Sequence, residues 1–346
     1  MDVSSSLSKI KVLMLNVNRE GWHSGNMIYD MMAVQKACDT IIYGPGWPEY
    51  KYTDLKKIVE QLYGDSKPDV IYSYFTPNES VRDVYMSHYS LSSDMRSFPT
   101  NFESVKGVLK IFALSDFWSR SPQQYSQDLG NGDFQYCFCC FAPPYSCPSD
   151  FYQFFGGNIR EKMEFVGYPR CVDPDCYKDY GLDKQYDVIT VGSMCNFYPS
   201  RVAMHRYLSE NHVSLGIRYK NYPHCGANFS HSDFVRENYA KAINQSKMLL
   251  SCGGRYHLAM NKIFESMGCG TAYVGERPYG HEELHLKEGE NYIDVFRSNF
   301  IERIQYYMSH PVEIERITKN AAETFKRYHT IEARAHDFVK LLEERL

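Results

Sequence analysis

Short apolar runs alternate with amphipathic segments along the first half of the chain. The runs contain few polar residues, which is typical of parallel strands that are covered by helices on both faces. The segments between them have helical spacing or are polar loops, so the pattern favours a parallel α/β sheet. One stretch, 77–105, has no clear period, and we expect an irregular insertion there. Strands are predicted at 10–17, 40–44, 69–75, 108–116 and 134–142, and helices at 26–38 and 54–64.

The segment 163–177 is predicted to be a last strand followed by a proline- and aspartate-containing crossing segment, and the same pattern restarts after it. We therefore predict an α/β protein with two tandem Rossmann-like domains that face each other across a cleft, followed by a helical carboxyl-terminal tail. Strands are predicted at 186–193, 213–219, 248–254 and 271–276, and helices at 200–211, at 231–247, from about Met260, and from 298 onward. The expected parts are an amino-terminal domain (1–170), an interdomain segment (171–185), a carboxyl-terminal domain (186–330) and a last helix (331–346) that packs back across the domain boundary.

Composition narrows the class of protein. The 346 residues are 43% hydrophobic and 23% charged, which is ordinary for a soluble globular chain, and the net charge of -4 gives no reason to expect nonspecific nucleic-acid binding. No stretch approaches the roughly 20 apolar residues that span a bilayer, and the first residues lack the pattern of a secretion signal. We therefore expect a cytoplasmic protein whose eleven cysteines are reduced.

Loops that follow strands are where ligands bind in such sheets, so they hold the candidate residues. The loop at 16–27 contains Gly21 and Gly25, which allow close backbone approach to an anion or a sugar hydroxyl. It lacks the G-x-G-x-x-G dinucleotide fingerprint. His23 in this loop is a candidate general base near neutral pH; the alternative is an ordinary loop histidine without chemistry.

Two further loops lie in the second half of the chain. In one, a predicted strand ends at Gly192-Ser193, and Arg201 follows on the next helix, where its forked donors can reach a diphosphate. In the other, Gly253-Gly254 turns the chain after a buried strand, and Arg255 follows.

The helix that starts near Met260 carries the most specific pattern. Its first N–H groups, around Asn261 and Lys262, form an anion site with the adjacent ammonium. Glu265 lies about one turn further along, where a carboxylate can accept hydrogen bonds from a vicinal diol. Phosphates at the helix tip and a ribose one turn inward describe a nucleoside diphosphate. The alternative is a glutamate that is simply solvated.

The stretches "KIFESMGCGTAYVGERP" and "EELHLKEGENYI" resemble the carboxyl-terminal donor domain of GT-B glycosyltransferases. They are most similar to the group that contains the spore-maturation CgeB-like proteins, which have K-x-x-E-x-x-x-C-G-T and G-E-N-Y signatures. The terminal "KNAAETFKRYHTIEARAHDFVKLL" is similar to the last helices of the same group. The resemblance covers roughly 186–340, and the first half is supported only by its α/β pattern and position.

The resemblance implies GT-B architecture and transfer of a sugar from a UDP, GDP or dTDP donor. It implies that Glu265 binds the ribose hydroxyls and that the backbone at Asn261 and Lys262 holds the diphosphate. Many relatives have a sugar-contacting glutamate where this chain has His257. The resemblance also implies that no cofactor and no metal are needed, and Arg201, Arg255 and Lys262 agree with this, because basic side chains can stabilise the leaving diphosphate. We interpret the D-x-D-like Asp173-Pro174-Asp175 as an interdomain linker.

The acceptor side is less defined. Gly21, Trp22 and Gly25 mark the expected acceptor-side loop, and His23 and Asp116 are the candidate bases if the reaction inverts configuration. A retaining reaction needs no such base. The acceptor can be a glycan, a protein or a small molecule, and a nucleic acid is not excluded. Two alternatives stay open: a nucleotide-sugar-binding protein without turnover, and a nonhydrolysing sugar-nucleotide epimerase.

Overall fold

The computed structural model describes residues 8–17, 26–75, 98–114, 129–130, 132–139, 162–222 and 236–346. The chain divides into two compact units. The first comprises residues 1–21, 31–168 and 335–346, and the second comprises residues 22–30 and 169–334.

The first unit is built on a six-stranded sheet in which all neighbouring strands are parallel. Its strands are β1 (Ser8–Leu15), β2 (Cys38–Tyr43), β3 (Val70–Ser73), β4 (Leu109–Leu114), β5 (Tyr136–Cys139) and β6 (Glu164–Gly167). Its helices are α2 (Leu55–Tyr63) and the part of α1 (Asn26–Ala37) from Met31 onward. The strands lie in the order β2-β1-β3-β4-β5-β6. The sequence predicted this parallel sheet, and the apolar runs that predicted it are its strands.

The second unit is built on a five-stranded sheet, also parallel throughout. Its strands are β7 (Tyr186–Thr190), β8 (Tyr219–Asn221), β9 (Ser246–Ser251), β10 (Ala272–Gly275) and β11 (Ile293–Asp294). The helices from here to the end of the chain are α3 (Pro199–Asn211), α4 (Arg236–Asn244), α5 (Asn261–Gly268), α6 (Phe300–Ser309), α7 (Pro311–Tyr328) and α8 (Ile331–Glu343).

The last helix contributes to the core of the first unit. Phe338 of α8 is fully buried and packs edge-on against Tyr72 of β3, with ring centroids 5.2 Å apart, and against Phe138 of β5 at 6.1 Å. Such aromatic pairs each add about 0.5–1.5 kcal/mol beyond the area they bury. Leu342, one turn further along α8, is also fully buried in this cluster. The apolar spacing of the terminal segment therefore completes the core around the first sheet.

The strand order of the second sheet, β11-β10-β9-β7-β8, creates a switch point between β7 and β9. From β7 the chain continues to β8 on one side, whereas β9 and β10 lie on the other side. The connections that follow β7 and β9 therefore diverge, and a crevice opens at the carboxyl ends of these two strands. This crevice, within the second unit, is where a ligand is expected.

Two sequence predictions in this unit are wrong in detail. The strand predicted at 213–219 is instead a turn that follows α3, and strand β8 begins only at Tyr219. Gly216 adopts a left-handed φ of 65°, which a strand does not accommodate, and Val213 is 81% exposed. The helix predicted to continue to 247 ends at Asn244, because Ser246 already pairs with β7 as the first residue of β9.

Candidate functional site

The loop after β7 approaches the start of α5 at a glycine. Gly192 has a φ of 97°, which disfavours any side chain. A Cβ atom at this position would lie 2.9 Å from Nη1 of Arg201 and 3.6 Å from Cε of Lys262. Gly192 is thus required both by its backbone conformation and by the two cationic side chains that converge on it.

Arg201 is a buried cation at this crevice, with only 3% of its surface exposed. Its Nη1 donates to the backbone oxygen of Ser193 at 3.0 Å, and its Nη2 donates to the Ser251 hydroxyl at 3.1 Å. The guanidinium also lies 4.0 Å from the centroid of the Tyr198 ring. Among the described residues, Nε has no hydrogen-bond partner and no carboxylate forms an ion pair with the guanidinium. Burial of an unpaired charge is costly, so this site favours an anion.

Helix α5 begins beside this guanidinium without a side-chain cap. Met260 precedes it in an extended conformation, so the first N–H groups of the helix keep their donor capacity. Asn261, the first helical residue, is 3% exposed, and neither its Oδ1 nor its Nδ2 has a hydrogen-bond partner within the described ranges. Buried amides are normally satisfied, so Asn261 is placed to bind a polar group.

Glu265 is buried, with 3% of its surface exposed, so the alternative of a solvated glutamate is wrong. Its Oε2 accepts hydrogen bonds from the Tyr239 hydroxyl at 2.8 Å and from Nζ of Lys262 at 2.9 Å. Burial, together with the charge of Glu265, raises the pKa of Tyr239 well above its usual range, so the phenol keeps its proton and donates it. These two donors orient the carboxylate and leave it able to accept further hydrogen bonds.

Two other predicted residues lie in the turn after β9. His257 has a left-handed φ of 48°, its side chain is 43% exposed, and its Nδ1 lies 3.8 Å from Oε2 of Glu276. Arg255 donates its backbone N–H to the oxygen of Phe197 at 2.9 Å, whereas its side chain is exposed and makes no hydrogen bond or ion pair with the described residues. The structure therefore brings Gly192, Ser193, Arg201, Asn261, Lys262 and Glu265 together, with His257 beside them, but does not bring in the Arg255 side chain.

The predicted acceptor-side residues are not among the described residues, and they remain predictions. They are Gly21, Trp22, His23, Gly25 and Asp116.

Three residues of the site were missed from the sequence. Ser251 and Glu276 stand at the carboxyl ends of β9 and β10, so the rule that polar residues after buried strands face the ligand crevice could have found them. Tyr239 lies inside α4 and carries no local pattern of this kind. Its role depends on the packing of α4 against α5.

The D-x-D-like segment forms a turn. Asp173 accepts a hydrogen bond from the backbone N–H of Asp175 at 2.9 Å and shapes a turn. Within the ranges the structure describes, no cluster of three or more His, Cys, Asp or Glu side chains is placed to hold a metal ion. Over the same ranges, no helix combines the length and the apolar character needed to cross a bilayer.

Known proteins share this architecture. Residues 200–340 match the Glyco_trans_1_2 family, described as glycosyl transferase-like. No curated protein matches the chain. Among solved structures, a glycosyltransferase from Rickettsia africae ESF-5 superposes with a TM-score of 0.63 at 10% identity, covering 97% of this chain and 98% of that one.

Two further structures are similar over the same length. HepE from Anabaena, in complex with UDP and glucose, has a TM-score of 0.59 at 13% identity, covering 97% of this chain and 100% of that one. Sucrose-phosphate synthase from Thermosynechococcus elongatus has a TM-score of 0.59 at 10% identity, covering 97% and 99%. At such identities the likeness shows the fold. The chain therefore has the GT-B fold of glycosyltransferases, and its residues 200–340 match the glycosyl transferase-like family.

Proposed function

We propose that this protein transfers a sugar from a nucleoside diphosphate sugar to an acceptor hydroxyl without a metal or other cofactor. The observation that carries the proposal is the convergence of Arg201 and Lys262 on Gly192. Only 3% of the surface of Arg201 is exposed, and no carboxylate of the described residues forms an ion pair with it. A diphosphate would supply the missing negative charge.

The diphosphate is held by the guanidinium and the start of α5. A guanidinium has five N–H donors. The hydrogen bonds from Arg201 to Ser193 and Ser251 use only two of them. The others remain for phosphate oxygens, together with the first N–H groups of α5 and the amide of Asn261. This geometry favours two linked phosphates over a single carboxylate.

The ribose occupies the next turn of α5. Its hydroxyls donate to the Glu265 carboxylate, which Tyr239 and Lys262 already orient. Lys262, whose side chain is 23% exposed, then shares its charge between Glu265 and the diphosphate. Charge-assisted hydrogen bonds of this kind contribute about 1.5–3 kcal/mol each.

The chemical step follows from this arrangement. The acceptor oxygen forms a bond to the anomeric carbon while the bond from that carbon to the phosphate oxygen breaks, and the electron pair leaves with the nucleoside diphosphate. Arg201, Lys262 and the α5 terminus stabilise the negative charge that develops there. In an inverting reaction the acceptor proton passes to a base, for which His23 and Asp116 are the proposed residues.

The solved neighbour HepE binds UDP, UDP with glucose, and UDP-glucose in its crystal structures. Uridine donors are therefore the first class to test for this chain. We also propose that this protein belongs to the spore-maturation CgeB-like group, which its carboxyl-terminal motifs resemble. The acceptor remains a glycan, a protein or a small molecule, with nucleic acid not excluded.

The test is incubation with UDP, GDP and dTDP sugars that carry an isotope label in the sugar. We expect slow release of labelled sugar with one donor class, and label transfer when the correct acceptor is added. A protein that binds donors but never releases the sugar would be a binding protein, and recovery of an epimerised donor would indicate an epimerase. Either of these outcomes would contradict the proposal, and so would a protein that binds none of the donors.

A further inference from the structure

A row of three buried tyrosine rings, Tyr29, Tyr177 and Tyr239, leads from helix α1 to the carboxylate of Glu265. Residues 26–30 of α1 belong to the second unit, as Glu265 does, and Tyr29 in this part of the helix is 2% exposed. The ring of Tyr29 meets that of Tyr177 edge to face, with centroids 6.0 Å apart. The ring of Tyr177 meets that of Tyr239 in the same way at 6.2 Å. The Tyr239 hydroxyl then donates to Oε2 of Glu265 at 2.8 Å.

The middle residue of the tyrosine row is held through its backbone. The N–H of Tyr177 donates to the oxygen of Asp173 at 2.8 Å. A Cβ atom at Gly268 would lie 2.4 Å from the backbone oxygen of Tyr177, so this segment packs directly on the last residue of α5. Because its backbone is fixed in this way, Tyr177 can adjust only by rotation of its side chain. In a close-packed interior, the ring of Tyr29 limits that rotation.

The position of the Tyr239 hydroxyl depends on the groups around its ring. Tyr239 lies on α4 and Glu265 on α5, so no single helix fixes the hydrogen bond between them. The ring contacts Tyr177, the ring of Tyr222 with centroids 5.4 Å apart, and the Lys262 ammonium, 4.9 Å from its centroid. Hydrogen bonds weaken steeply when they are misaligned. A rotation of the Tyr239 ring would therefore release the Glu265 carboxylate from its orientation.

The tyrosine row acts by packing and not by proton transfer. Burial raises the pKa of Tyr29, Tyr177 and Tyr239 above the usual range of a phenol, and the charge of Glu265 adds to the rise at all three. All three phenols therefore keep their protons at neutral pH. What passes along the row is the placement of one ring against the next.

We propose that Tyr29 is a positioning residue for donor binding, whose ring, through Tyr177 and Tyr239, holds the Glu265 carboxylate in the orientation that accepts the ribose hydroxyls. This inference rests on the proposed function, since it takes Glu265 as the group that binds the ribose. A helix near the start of the chain thereby supports the nucleotide site of the second unit. Loss of the Tyr29 ring should weaken the contact to the ribose hydroxyls and spare the diphosphate.

The experiment compares a nucleoside diphosphate with its 2′,3′-dideoxy analogue by calorimetric titration, using whichever of UDP, GDP and dTDP the wild type binds. The analogue keeps the base and the diphosphate but lacks the hydroxyls that Glu265 accepts. In the wild type we expect the analogue to bind at least about tenfold more weakly than the parent nucleotide. In Tyr29→Leu the affinity for the parent should fall at least about threefold, and that for the analogue less than about twofold.

Three variants separate positioning from stability. Tyr29→Phe restores the ring and should restore the wild-type preference for the parent nucleotide over the analogue. Tyr307→Leu removes an equally buried ring from α6, and should lower the unfolding temperature without changing this preference. Tyr239→Phe lacks the donor to Glu265. Adding Tyr29→Leu to it should not reduce the preference further, because both changes act on the same hydrogen bond.

A measurement on the wild type keeps the inference testable even if Tyr29→Leu does not fold. Coupling between two sites is reciprocal, so binding of the ribose hydroxyls should in turn stabilise the tyrosine row. At saturation, the parent nucleotide should therefore slow amide hydrogen exchange in α1 more than the dideoxy analogue does. Exchange in α2, which belongs to the first unit, should be the same in both complexes.

The failures are distinguishable. If the wild type binds no nucleoside diphosphate, the proposed function and this inference fall together. If the wild type prefers the parent nucleotide but Tyr29→Leu loses the same affinity for parent and analogue, or loses none, the proposed function stands and Tyr29 has no positioning role. Equal exchange of α1 in the two complexes would overturn the inference in the same way.

Discussion

Arg201 and Ser251 are joined across the switch point of the second sheet, since Nη2 of Arg201 donates to the Ser251 hydroxyl at 3.1 Å. Ser251 is the last residue of β9, and Arg201 lies in the first turn of α3, which follows β7. The guanidinium is therefore fixed from both sides of the crevice, by Ser251 of β9 and by the backbone oxygen of Ser193 in the loop after β7. A cation held in this way loses little conformational freedom when an anion binds, and preorganisation of this kind favours affinity.

We predict that Arg201→Met has opposite effects on binding and on stability. Affinity for the nucleoside diphosphate should fall at least about thirtyfold, because charge-assisted hydrogen bonds to phosphate are lost. The unfolding temperature without ligand should stay unchanged or rise, since a buried guanidinium without an anion is destabilising. Thermal unfolding with and without UDP, GDP or dTDP measures both quantities.

The matched control for this change is Arg206→Met. Arg206 lies on the same helix but is exposed and pairs only with Glu210, at 3.4 Å, among the described residues. It should leave nucleotide affinity unaltered. A nucleotide affinity that Arg201→Met leaves intact would show that the buried cation serves the fold alone.

Gly192→Ala should reduce nucleotide affinity more than the strain of its backbone explains. The new Cβ would lie 2.9 Å from Nη1 of Arg201 and would displace the guanidinium. Gly216→Ala is the control, because Gly216 also has a positive φ, of 65°, but has open space around its Cβ position. Both variants should lose on the order of 1 kcal/mol of stability from the left-handed backbone. Only Gly192→Ala should weaken binding, and equal titration curves for the two variants would contradict this.

Much of this site could be predicted from the sequence where local patterns determine it. The start of α5 near Met260 and its end at Gly268 follow from apolar spacing and glycine placement, and the structure confirms both. The burial of Glu265 could not be predicted in this way, because it depends on Tyr239 from a different helix. The order of the strands could not be predicted either, and it decides that Ser251 faces Arg201.

His329 should contribute to the pH dependence of the free energy of unfolding. This histidine is 1% exposed, its Nε2 lies 3.0 Å from the oxygen of Leu284, and its ring stacks on Phe264 at 4.1 Å. Burial, helped by the charge of Arg334, lowers the pKa of His329 to about 3. The neutral imidazole is therefore packed in the core against Phe264 of α5.

The direction in which the free energy of unfolding changes with pH follows from the difference in proton binding between the unfolded and the folded chain. Between the ordinary histidine pKa of about 6.5 and the lowered pKa in the folded protein, the unfolded chain binds one proton more than the folded chain at this position. The free energy of unfolding should therefore decrease as the pH falls below about 6.5, by up to about 1.4 kcal/mol per pH unit from this group. Denaturant titrations at pH 7.5, 6.5 and 5.5 measure the slope.

His329→Gln should lower stability at pH 7.5, where the wild-type imidazole is neutral, and should remove this share of the slope, so the difference from the wild type shrinks as the pH falls. His336→Gln, at an exposed position of α8, should leave the slope as it is in the wild type. A slope that His329→Gln does not change would show that other groups govern the loss of stability in acid.

The most direct test of the central claim is a calorimetric titration of UDP, GDP and dTDP and their sugar conjugates against the wild type, Glu265→Ala and the exposed-residue control Glu302→Ala. The account predicts that the wild type and Glu302→Ala bind one nucleotide class with equal affinity. It predicts that Glu265→Ala remains folded and binds that class at least tenfold more weakly. Equal affinities for all three proteins would contradict it.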